Sequence, residues 1–597
     1  MSNYSKYKER TPQETIFTIR RILNDIGLFT VQDWVDDAYE GAKSCRVSIY
    51  PTVLGTNGKG TDVVYSTASG YAELLERLNN NLLTLRDERD SLKEDVGFYH
   101  FPDEKMISIE EIAANPDPFT EFIFDGMGIN DKSRVDYLRN YCIFYGIKDD
   151  TLPCVPFADP VSGIVRYIPH KVVIHFAGSN GMAAGNTLDE SMVQGLSEVF
   201  ERAASKRILK GEVIPPVIPE DEVKKYSFYS LIREVEKNGE YRVRLYDLSM
   251  GKDWPVTGLC ITDLSTGNFG IKLGAHPSFA VAIERTLTEA LQGKNMKFFA
   301  NSCKVGSVEQ AMEYDNIPNV CKTGNGIYPY KILGGKPDWE YKPWSRWEGL
   351  DNKGFLAEMI KILKAEGFHP MFRDTSFLGF PSSFIIVPYF SDFMPMGKKA
   401  HRAMITHLRS VISFDNFPDI SDEEELRILT FIRFKEYSVL ENQISFVTGR
   451  QLSSKFDPDK IAAFISLKHG KYDISEHFFY KLARSTTDEK EKHRYDAMRR
   501  YVKLRGQCSD HEMAMDVIKR LTTDDIAKIV EADTGDLSTV MQRNFPKLHC
   551  YDCKNCPLAG TDCKYPDTRE IYLKVARAMK AENVDQGKLL EKLKEMW

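Results

Sequence analysis

The 597-residue sequence is long enough for two or more domains, each with its own hydrophobic core. Hydrophobic residues make up 42% of the chain and charged residues 28%, which is typical of a globular protein and excludes a disordered or fibrous one. The formal net charge of -7 argues against a general nucleic-acid binder, which would carry a basic surface. We find no run of 18 apolar residues and no apolar segment near the N-terminus, so we expect a cytoplasmic protein without a membrane span.

The first predicted elements lead to a glycine-rich turn and a charged helix. Residues 12–27 have apolar side chains at helical spacing and end at Gly27, a typical C-terminal stop. An extended stretch, residues 45–55, then leads into a glycine-rich turn at residues 55–60. Lys59 in this turn is either a phosphate ligand or an ordinary turn residue. The helix predicted next carries polar residues about one turn apart: Ser69, Glu73, Glu76 and Arg77.

A second glycine-rich segment also precedes a charged helix. Residues 165–178 predict a buried strand that enters this segment. Gly178, Gly181 and Gly185 allow the backbone to approach an anion closely, and the helix that follows offers unpaired N–H groups and the positive end of its dipole. This helix, predicted to reach Ala204, carries polar residues at spacings of three and four: Ser191, Gln194, Glu198, Glu201 and Arg202. The segment is therefore predicted to bind a polyphosphate and a metal ion.

A third helix of the same kind follows a predicted β-hairpin. Residues 254–279 contain two apolar runs joined by a polar turn, which predicts the hairpin. The helix after it begins at Phe279 and carries Glu284, Arg285, Glu289 and Gln292. Each of the three helices thus presents a glutamate with an arginine or a glutamine one turn away. We infer that the three helices converge on one anion.

The pattern Glu-x-x-Glu-Arg occurs in the helices that carry Glu73 and Glu198. An alternative interpretation is a solvent-exposed helix face, because glutamate and arginine pair readily across a turn. Two features favour binding, since both copies follow a glycine-rich segment and both interrupt an otherwise apolar helix. A buried pair of like charges needs a counter-ion, and magnesium with phosphates supplies one. Neither glycine-rich segment fits G-x-x-x-x-G-K-[ST], so the motif of a P-loop NTPase is absent.

The C-terminal part of the sequence, from Asp415 onward, predicts charged helices with few strand signals. Residues 459–485 predict two antiparallel helices joined at residues 469–471, in the style of a helix-hairpin repeat, and this favours an interaction or support module. A cysteine cluster follows at residues 550–563, and its first spacings are those of a bacterial ferredoxin run. We predict zinc or an iron–sulfur cluster there, with unpaired thiols as the alternative. The cluster consists of Cys550, Cys553, Cys556 and Cys563.

Three segments together resemble the YcaO family: TNGKG…SGYAELLERL, SNGMAAGNT…QGLSEVFER and AHPSFAVAIERTLTEALQG. The resemblance implies an α+β ATP-binding domain over residues 1–410 and an all-helical, tetratricopeptide-like domain over residues 411–597. It further implies that catalytic glutamates hold magnesium, with neighbouring carboxylates: Glu73, Glu198 and Glu289, with Glu76 and Glu201. The residues implied for nucleotide binding are Lys59, Ser69, Arg77, Ser179, Asn180, Gly181, Ser191, Gln194, Arg202, Arg285 and Gln292.

The resemblance also implies a reaction and a set of partners. In the family, ATP activates a peptide amide oxygen by phosphorylation, so that a thiol, hydroxyl or sulfide can add to the carbonyl carbon. The chain ends KLLEKLKEMW, without the proline-rich tail of azoline-forming members. We therefore expect an accessory factor for β-methylthiolation of an aspartate in ribosomal protein S12, with a methylthiotransferase and the ribosomal protein as partners. The alternatives are an azoline- or thioamide-forming enzyme with a peptide substrate, and a nucleotide-bound scaffold.

For any of these functions, we expect no direct contact with nucleic acid and no contact with a membrane, and we consider a homodimer as the assembly.

Overall fold

The computed structural model describes residues 7–35, 41–83, 96–291, 296–313, 316–392, 394–433, 457–508, 510–547, 552–557, 559–560 and 565–597. The chain divides into two compact units. The first contains Met1–Leu138, Asp149–Gly397 and Ile571–Trp597, and the second contains Arg139–Lys148 and Lys398–Glu570. Ile571–Trp597 thus belongs to the first unit and not to the helical region that precedes it in sequence.

The strands all lie in the first unit. They are β1 (Thr30–Val35), β2 (Lys43–Ile49), β3 (Gly55–Gly60), β4 (Lys105–Ser108), β5 (Thr151–Asp159), β6 (Ile164–Pro169), β7 (Met182–Ala184), β8 (Tyr241–Asp247), β9 (Val256–Asp263), β10 (Phe269–Ala275), β11 (Cys303–Gly306), β12 (Gly326–Pro329), β13 (Met371–Asp374) and β14 (Ser382–Ile386).

The helices up to Ala365 are α1 (Pro12–Asp25), α2 (Val63–Asn79), α3 (Ile109–Ala114), α4 (Pro118–Met127), α5 (Asp131–Tyr145), α6 (His170–Ala177), α7 (Leu188–Leu209), α8 (Glu220–Val223), α9 (Tyr229–Glu236), α10 (Phe279–Leu291), α11 (Met296–Phe299), α12 (Val308–Ala311), α13 (Asn316–Thr323) and α14 (Asn352–Ala365). The boundary between the units falls within α5, after Leu138. Short 3-10 turns lie at Tyr330–Ile332, Ser345–Trp347 and Ala581–Asn583.

Three sheets organise the first unit. A three-stranded antiparallel sheet has the order β1-β2-β3, and a five-stranded sheet has the order β12-β11-β10-β9-β8 with a parallel pair at β11 and β12. The third sheet has the order β4-β5-β13-β14-β7, with β6 paired to β5. Helix α7 packs its apolar residues, among them Leu196, Val199 and Phe200, into the main core, and Leu589, Leu590 and Leu593 from the C-terminal segment join that core.

The glycine-rich segment at residues 55–60 is a strand, so the prediction of a turn there is wrong. β3 pairs with β2 along its whole length, from Ser48↔Gly55 to Lys43↔Gly60. Its glycines allow helix α2 to press directly against the strand, because a Cβ at Gly58 would lie 1.9 Å from the carbonyl oxygen of Ser66. The glycines therefore serve close packing between strand and helix, and Lys59 projects from a fixed strand position.

Of two further predictions, one is wrong and one is confirmed. Residues 165–178, predicted as one buried strand, form the end of β6 and then helix α6, because the apolar run after His170 packs as a helix. The hairpin predicted within residues 254–279 is confirmed as β9 and β10, which pair from Phe269↔Thr262 to Ala275↔Val256. This hairpin delivers the chain to α10.

The second unit contains only helices within its described residues. They are α15 (Lys398–Asn416), α16 (Asp422–Arg433), α17 (Pro458–Lys468), α18 (Tyr472–Ser485), α19 (Glu489–Gln507), α20 (His511–Leu521), α21 (Asp524–Thr534) and α22 (Leu537–Asn544), with α23 (Tyr565–Ala578) at its C-terminal boundary and α24 (Gln586–Lys594) in the first unit. The predicted helix pair is confirmed as α17 and α18, joined by residues 469–471. An α+β chain with a helical C-terminal region is thus confirmed, and its tetratricopeptide-like character stays a prediction.

None of the described helices is both long enough and apolar enough to cross a membrane.

Candidate functional site

Helices α2, α7 and α10 converge on a cavity of about 570 Å³ in the first unit. Strands β3, β7 and β10, the start of α1 with the residues before it, and single residues of other segments form the rest of its walls. Its charged lining residues are Lys8, Arg10, Lys59, Glu73, Glu76, Arg77, Glu190, Glu198, Glu201, Arg202, Lys272, Arg285 and Glu289. The structure therefore brings together the glutamates of all three predicted helices, which lie up to 216 residues apart in sequence between Glu73 and Glu289.

Helix α2 carries the first group of charges. Its apolar side chains Leu74, Leu75 and Leu78 are buried, which turns the opposite side chains toward the cavity. Arg77 lies 3.3 Å from Glu73 and 3.1 Å from Glu76, so one guanidinium partly neutralises both carboxylates.

Helix α7 repeats this arrangement. It begins after Thr187, whose hydroxyl accepts the backbone N–H of Glu190. Arg202 lies 3.4 Å from Glu198 and 3.9 Å from Glu201, and it also donates a hydrogen bond to the backbone oxygen of Cys321. The Glu-x-x-Glu-Arg pattern thus gives each helix two carboxylates and one internal guanidinium, and the solvent-exposed alternative does not describe either copy.

Helix α10 supplies Glu289, whose partners come from other elements. Lys59 of β3 forms an ion pair with Glu289. Lys272 of β10 lies 3.6 Å from the other carboxylate oxygen of Glu289. Arg285, one turn earlier on α10, donates to Gln194 of α7 and so ties the two helices together.

Burial and repulsion between carboxylates shift two glutamates toward the neutral form. Burial raises the pKa of Glu76 to about 8; Arg77 opposes the shift, and Glu73 and Glu198 add to it. Burial likewise raises the pKa of Glu201 to about 7, against Arg202 and with contributions from Glu289 and Glu198. Charges on α2, α7 and α10 therefore act on one another directly, and nearby positive charge does not offset the burial of Glu76 and Glu201.

The remaining charges compensate in the opposite direction. Burial raises the pKa of Glu289, but Lys59, Lys272 and Arg285 outweigh it and hold the pKa of this carboxyl well below its usual range. Burial is also the largest single effect on Arg77 and lowers its pKa, but Glu76, Glu73 and Glu198 together raise it above its usual value. A divalent cation suits this group of carboxylate oxygens, because oxygen ligands from carboxylates are those that magnesium prefers.

We expect Glu76→Gln to stabilise the protein more at pH 8 than at pH 5. The pKa of this carboxyl is raised from 4.5 to about 8, so the folded state binds more protons than the unfolded state between these values, and stability falls as the pH rises through that window. Glutamine removes this loss, and a gain of about 1 kcal/mol at pH 8 would raise Tm by roughly 1 °C, because a unit of about 400 residues has a large unfolding entropy. Thermal unfolding at both pH values, without nucleotide or divalent cation, measures it.

Glu358→Gln is the matched control for this prediction. A hydrogen bond from Lys361 is the largest effect on Glu358 and lowers its pKa, so its removal is expected to reduce stability at neutral pH. Equal Tm values for wild type and Glu76→Gln at pH 8 would contradict the assignment of Glu76 as a carboxyl that burial destabilises.

Most of the predicted site residues line the cavity. They are Lys59, Ser69, Glu73, Glu76, Arg77, Gln194, Glu198, Glu201, Arg202, Arg285 and Glu289. Gln292 lies outside the described residues. The other predicted nucleotide-binding residues, Ser179, Asn180, Gly181 and Ser191, are not among the lining residues of the cavity.

Asn180, Gly181 and Ser191 pack against β14 and the residues after it. The side-chain amide of Asn180 donates to the hydroxyl of Ser391 at 3.0 Å. The hydroxyl of Ser191 is fully buried and lies 2.7 Å from that of Ser383. Gly181 has a φ of 85°, and a Cβ there would lie 2.0 Å from the backbone oxygen of Ile385. Their contacts join α7 and the segment around β7 to β14 and the residues after it, and their role in nucleotide binding stays a prediction.

Several lining residues escaped the sequence analysis, among them Lys8, Asn186, Glu190 and Lys272. Lys8 lies 2.9 Å from Glu190, and the backbone N–H of Glu9 donates to the same carboxylate at 3.0 Å. Asn186 also donates to Glu190. Because Lys8, Glu9 and Asn186 share this carboxylate, the residues before α1 are held at the start of α7. The signal for Lys272 was its position as a charge within the otherwise apolar run of β10.

The cysteine cluster is only partly described. Cys553 is exposed, and Cys556 is half-buried against the core of the second unit. Cys550 and Cys563 lie outside the described residues. A zinc or iron–sulfur site at residues 550–563 therefore stays a prediction.

One other grouping of side chains able to bind a metal occurs in the part of the chain that the structure describes. It consists of Asp422, Glu425 and His469 in the second unit. Lys468 lies 3.1 Å from Asp422 and 2.9 Å from Glu425, and His469 lies 2.7 Å from Glu425. The ammonium group of Lys468 already neutralises both carboxylates, so this grouping is an ion-pair network between α16 and the end of α17.

A family model described as YcaO cyclodehydratase, ATP- and Mg2+-binding, matches residues 57–391, more than half of the chain. The chain belongs to the YcaO family. The match covers α2, α7 and α10 and therefore the three groups of carboxylates. It also places the β3 lysine, Lys59, within the YcaO region, whereas Lys8 and Arg10 precede it.

Two relatives show similar levels of identity. An uncharacterized protein of Haemophilus influenzae is 29% identical over 343 residues, which cover 57% of this chain and 58% of that protein. The ribosomal protein S12 methylthiotransferase accessory factor YcaO of Escherichia coli is 28% identical over 425 residues, which cover 68% of this chain and 69% of that protein. The match thus spans less than two thirds of the Haemophilus relative.

Solved YcaO-type structures resemble the chain more distantly. A heterocyclase in complex with substrate and cofactor has a TM-score of 0.44 and 15% identity, over 65% of this chain and 53% of the heterocyclase. YcaO from Methanopyrus kandleri bound with AMPPCP and Mg2+ has a TM-score of 0.40 and 16% identity, over 64% of this chain and 92% of that protein.

Proposed function

We propose that the cavity binds ATP together with magnesium and that the chain hydrolyses the nucleotide. The observation that carries this proposal is the convergence of five carboxylates and their cationic partners, from α2, α7, α10, β3 and β10, on one cavity. The proposed magnesium ligands are Glu73, Glu76, Glu198, Glu201 and Glu289. Carboxylates and a polyphosphate repel each other when no cation lies between them. Magnesium supplies the positive charge that neutralises both.

The cationic and polar lining residues suit the nucleotide itself. Guanidinium and ammonium groups bind phosphate oxygens, and the carboxylates beside them bind the metal ion. A cavity lined by both kinds of group therefore suits a polyphosphate that carries magnesium. The proposed nucleotide-binding residues are Lys59, Ser69, Arg77, Gln194, Arg202 and Arg285, joined by Lys8 and Arg10. Since Lys8 is held by Glu190, which is almost fully buried, its position is set before any nucleotide arrives.

We further propose that the phosphoryl group of ATP is transferred to an amide or carboxamide oxygen. The oxygen attacks a phosphorus atom of ATP, the phosphoanhydride bond to that phosphorus breaks and the remainder of the nucleotide leaves, and a thiol, hydroxyl or sulfide can then add to the activated carbonyl carbon. When the nucleophile has added, phosphate departs with the former amide oxygen. The positive side chains of the cavity would stabilise the charge that develops on the transferred group.

For the biological role, we propose an accessory factor in β-methylthiolation of an aspartate in ribosomal protein S12, with a methylthiotransferase as partner. Similarity to the Escherichia coli protein of that name supports it. The description of the family as cyclodehydratases favours a second candidate, an enzyme that modifies a peptide backbone. A scaffold that binds nucleotide without turnover is the non-enzymatic candidate, and a homodimer stays a prediction.

Mass measurement of the ribosomal protein separates these roles. In cells that lack this gene, we expect the aspartate of ribosomal protein S12 to lose its methylthio group, and we expect the wild-type gene to restore it. A gene carrying Glu198→Gln is expected to fail in restoration, whereas one carrying Asp189→Asn, on the same helix but paired with Lys592, is expected to succeed. A fully methylthiolated protein in the deletion strain would exclude the accessory role and leave the ATP site untested by that result alone.

A further inference from the structure

Glu289 differs from the other four proposed magnesium ligands in the origin of its positive partners. Glu73 and Glu76 are neutralised by Arg77 of their own helix, and Glu198 and Glu201 by Arg202 of theirs. These guanidiniums stay beside their carboxylates as long as the helices are folded. The ion-pair partners of Glu289, by contrast, come from β3 and β10, while Arg285 of its own helix donates to Gln194.

The two lysines of Glu289 are not equally confined. The side chain of Lys272 is 17% exposed and that of Lys59 is 29% exposed. The stem of Lys272 is also close to the backbone at Gly324, where a Cβ would lie 3.4 Å from its Cδ. Lys59 has a flexible stem of four carbons that faces the cavity, and its strand is held by pairing with β2 and by packing on α2. The ammonium group of Lys59 can therefore move without disturbing the strand.

A metal ion at Glu289 has to compete with the ammonium group of Lys59. The carboxylate accepts the lysine in the same region of the cavity in which magnesium is proposed to bind. A displaced Lys59 remains within the cavity, where a phosphate is the natural new partner for its charge.

We propose that Lys59 and magnesium exchange at Glu289: the ion takes the carboxylate, Lys59 moves to the polyphosphate, and Lys272 stays and positions Glu289. The inference rests on the proposed binding of magnesium and ATP. The consequence is a coupling between magnesium and ATP. Magnesium releases Lys59, which then binds the polyphosphate, and ATP draws Lys59 away from Glu289, which then binds magnesium. The metal binds weakly without nucleotide, and nucleotide binds weakly without metal.

Two binding measurements on the full chain test this exchange. Mn2+ binding without nucleotide is followed by electron paramagnetic resonance, and binding of AMPPCP is measured in EDTA and in excess Mg2+. The ratio of the two AMPPCP dissociation constants reports the coupling. The affinity of Mg2+ for free AMPPCP contributes equally for every variant and cancels when variants are compared.

Lys59→Met is expected to bind Mn2+ about tenfold more tightly than wild type and to show a coupling ratio about tenfold smaller. Lys272→Met is expected to bind Mn2+ more tightly as well, because a nearby positive charge is lost, but to keep the wild-type ratio. Lys59→Arg is expected to keep most of the wild-type coupling ratio. It also shows whether the effect of Lys59→Met comes from the lost charge or from a folding defect. Lys353→Met, which removes an exposed lysine of α14, controls for net charge and should match wild type in both measurements.

Two results would overturn the exchange. If Lys59→Met and Lys272→Met change the ratio equally, or neither changes it, while wild type binds Mn2+ and AMPPCP, the exchange is wrong and the proposed site stands. If wild type binds neither Mn2+ nor AMPPCP, the proposed function fails and the exchange fails with it.

Discussion

Glu198→Gln is expected to lower magnesium-dependent ATP turnover by at least about 100-fold with the fold intact, since removal of a single charge-stabilising group from a preorganised site typically costs this much. Glu198 is central among the carboxylates: it lies 3.4 Å from Arg202 on its own helix and raises the pKa of Glu76 on α2. Glutamine keeps the shape of the side chain and removes the charge. Release of ADP or AMP at saturating ATP and Mg2+ measures turnover.

Asp189→Asn is the matched control, because Asp189 lies in the first turn of α7 and pairs with Lys592 away from the cavity lining. We expect it to keep wild-type turnover. Turnover is measured with and without the proposed partners, the methylthiotransferase and the ribosomal protein. Equal turnover in wild type and Glu198→Gln, with both proteins folded, would remove Glu198 from the site.

Gly181→Ala is expected to destabilise the first unit by about 4 kcal/mol, a large value for one substitution. Its φ of 85° costs an alanine about 1–2 kcal/mol by itself. The new Cβ would also lie 2.0 Å from the backbone oxygen of Ile385, and since Ile385 donates its N–H to the oxygen of Gly181, the two backbones cannot separate freely. Thermal unfolding and soluble yield measure the effect.

Gly334→Ala is the control for Gly181→Ala, because nothing lies within 4 Å of the position where its Cβ would be and its φ is not in the left-handed region. We expect wild-type stability from it. Gly181 was first expected to contact nucleotide. A stable Gly181→Ala protein with weakened nucleotide binding would support that prediction and contradict the packing role.

The carboxylate groups of the site could be predicted from sequence because their pattern is local. Glu73, Glu76 and Arg77, and likewise Glu198, Glu201 and Arg202, are held on one face by the helix repeat alone, and apolar neighbours fix which face is buried. The hairpin of β9 and β10 and the pair α17 and α18 were predicted for the same reason, since a short turn joins neighbours in sequence.

The corrections concern residues whose conformation depends on distant segments. Glycines at residues 55–60 are typical of a turn, but pairing with β2 and the approach of α2 make the segment a strand. The side chains of Asn180 and Ser191 bond to Ser391 and Ser383, about 200 residues later, which the sequence did not indicate, while their predicted role in nucleotide binding stays a prediction. Local sequence carries no record of such partners.

The sequence by itself determined which helices carry the charges, because helical periodicity acts over three or four residues. Only the tertiary structure decided how these charges are balanced. Lys59 and Lys272 meet Glu289 because two different sheets deliver their strands to α10, and Lys8 enters the cavity because Glu190 holds the residues before α1. The physical reason is that an ion pair depends on distance in space, and the distance between sheets is set by core packing and not by neighbours along the chain.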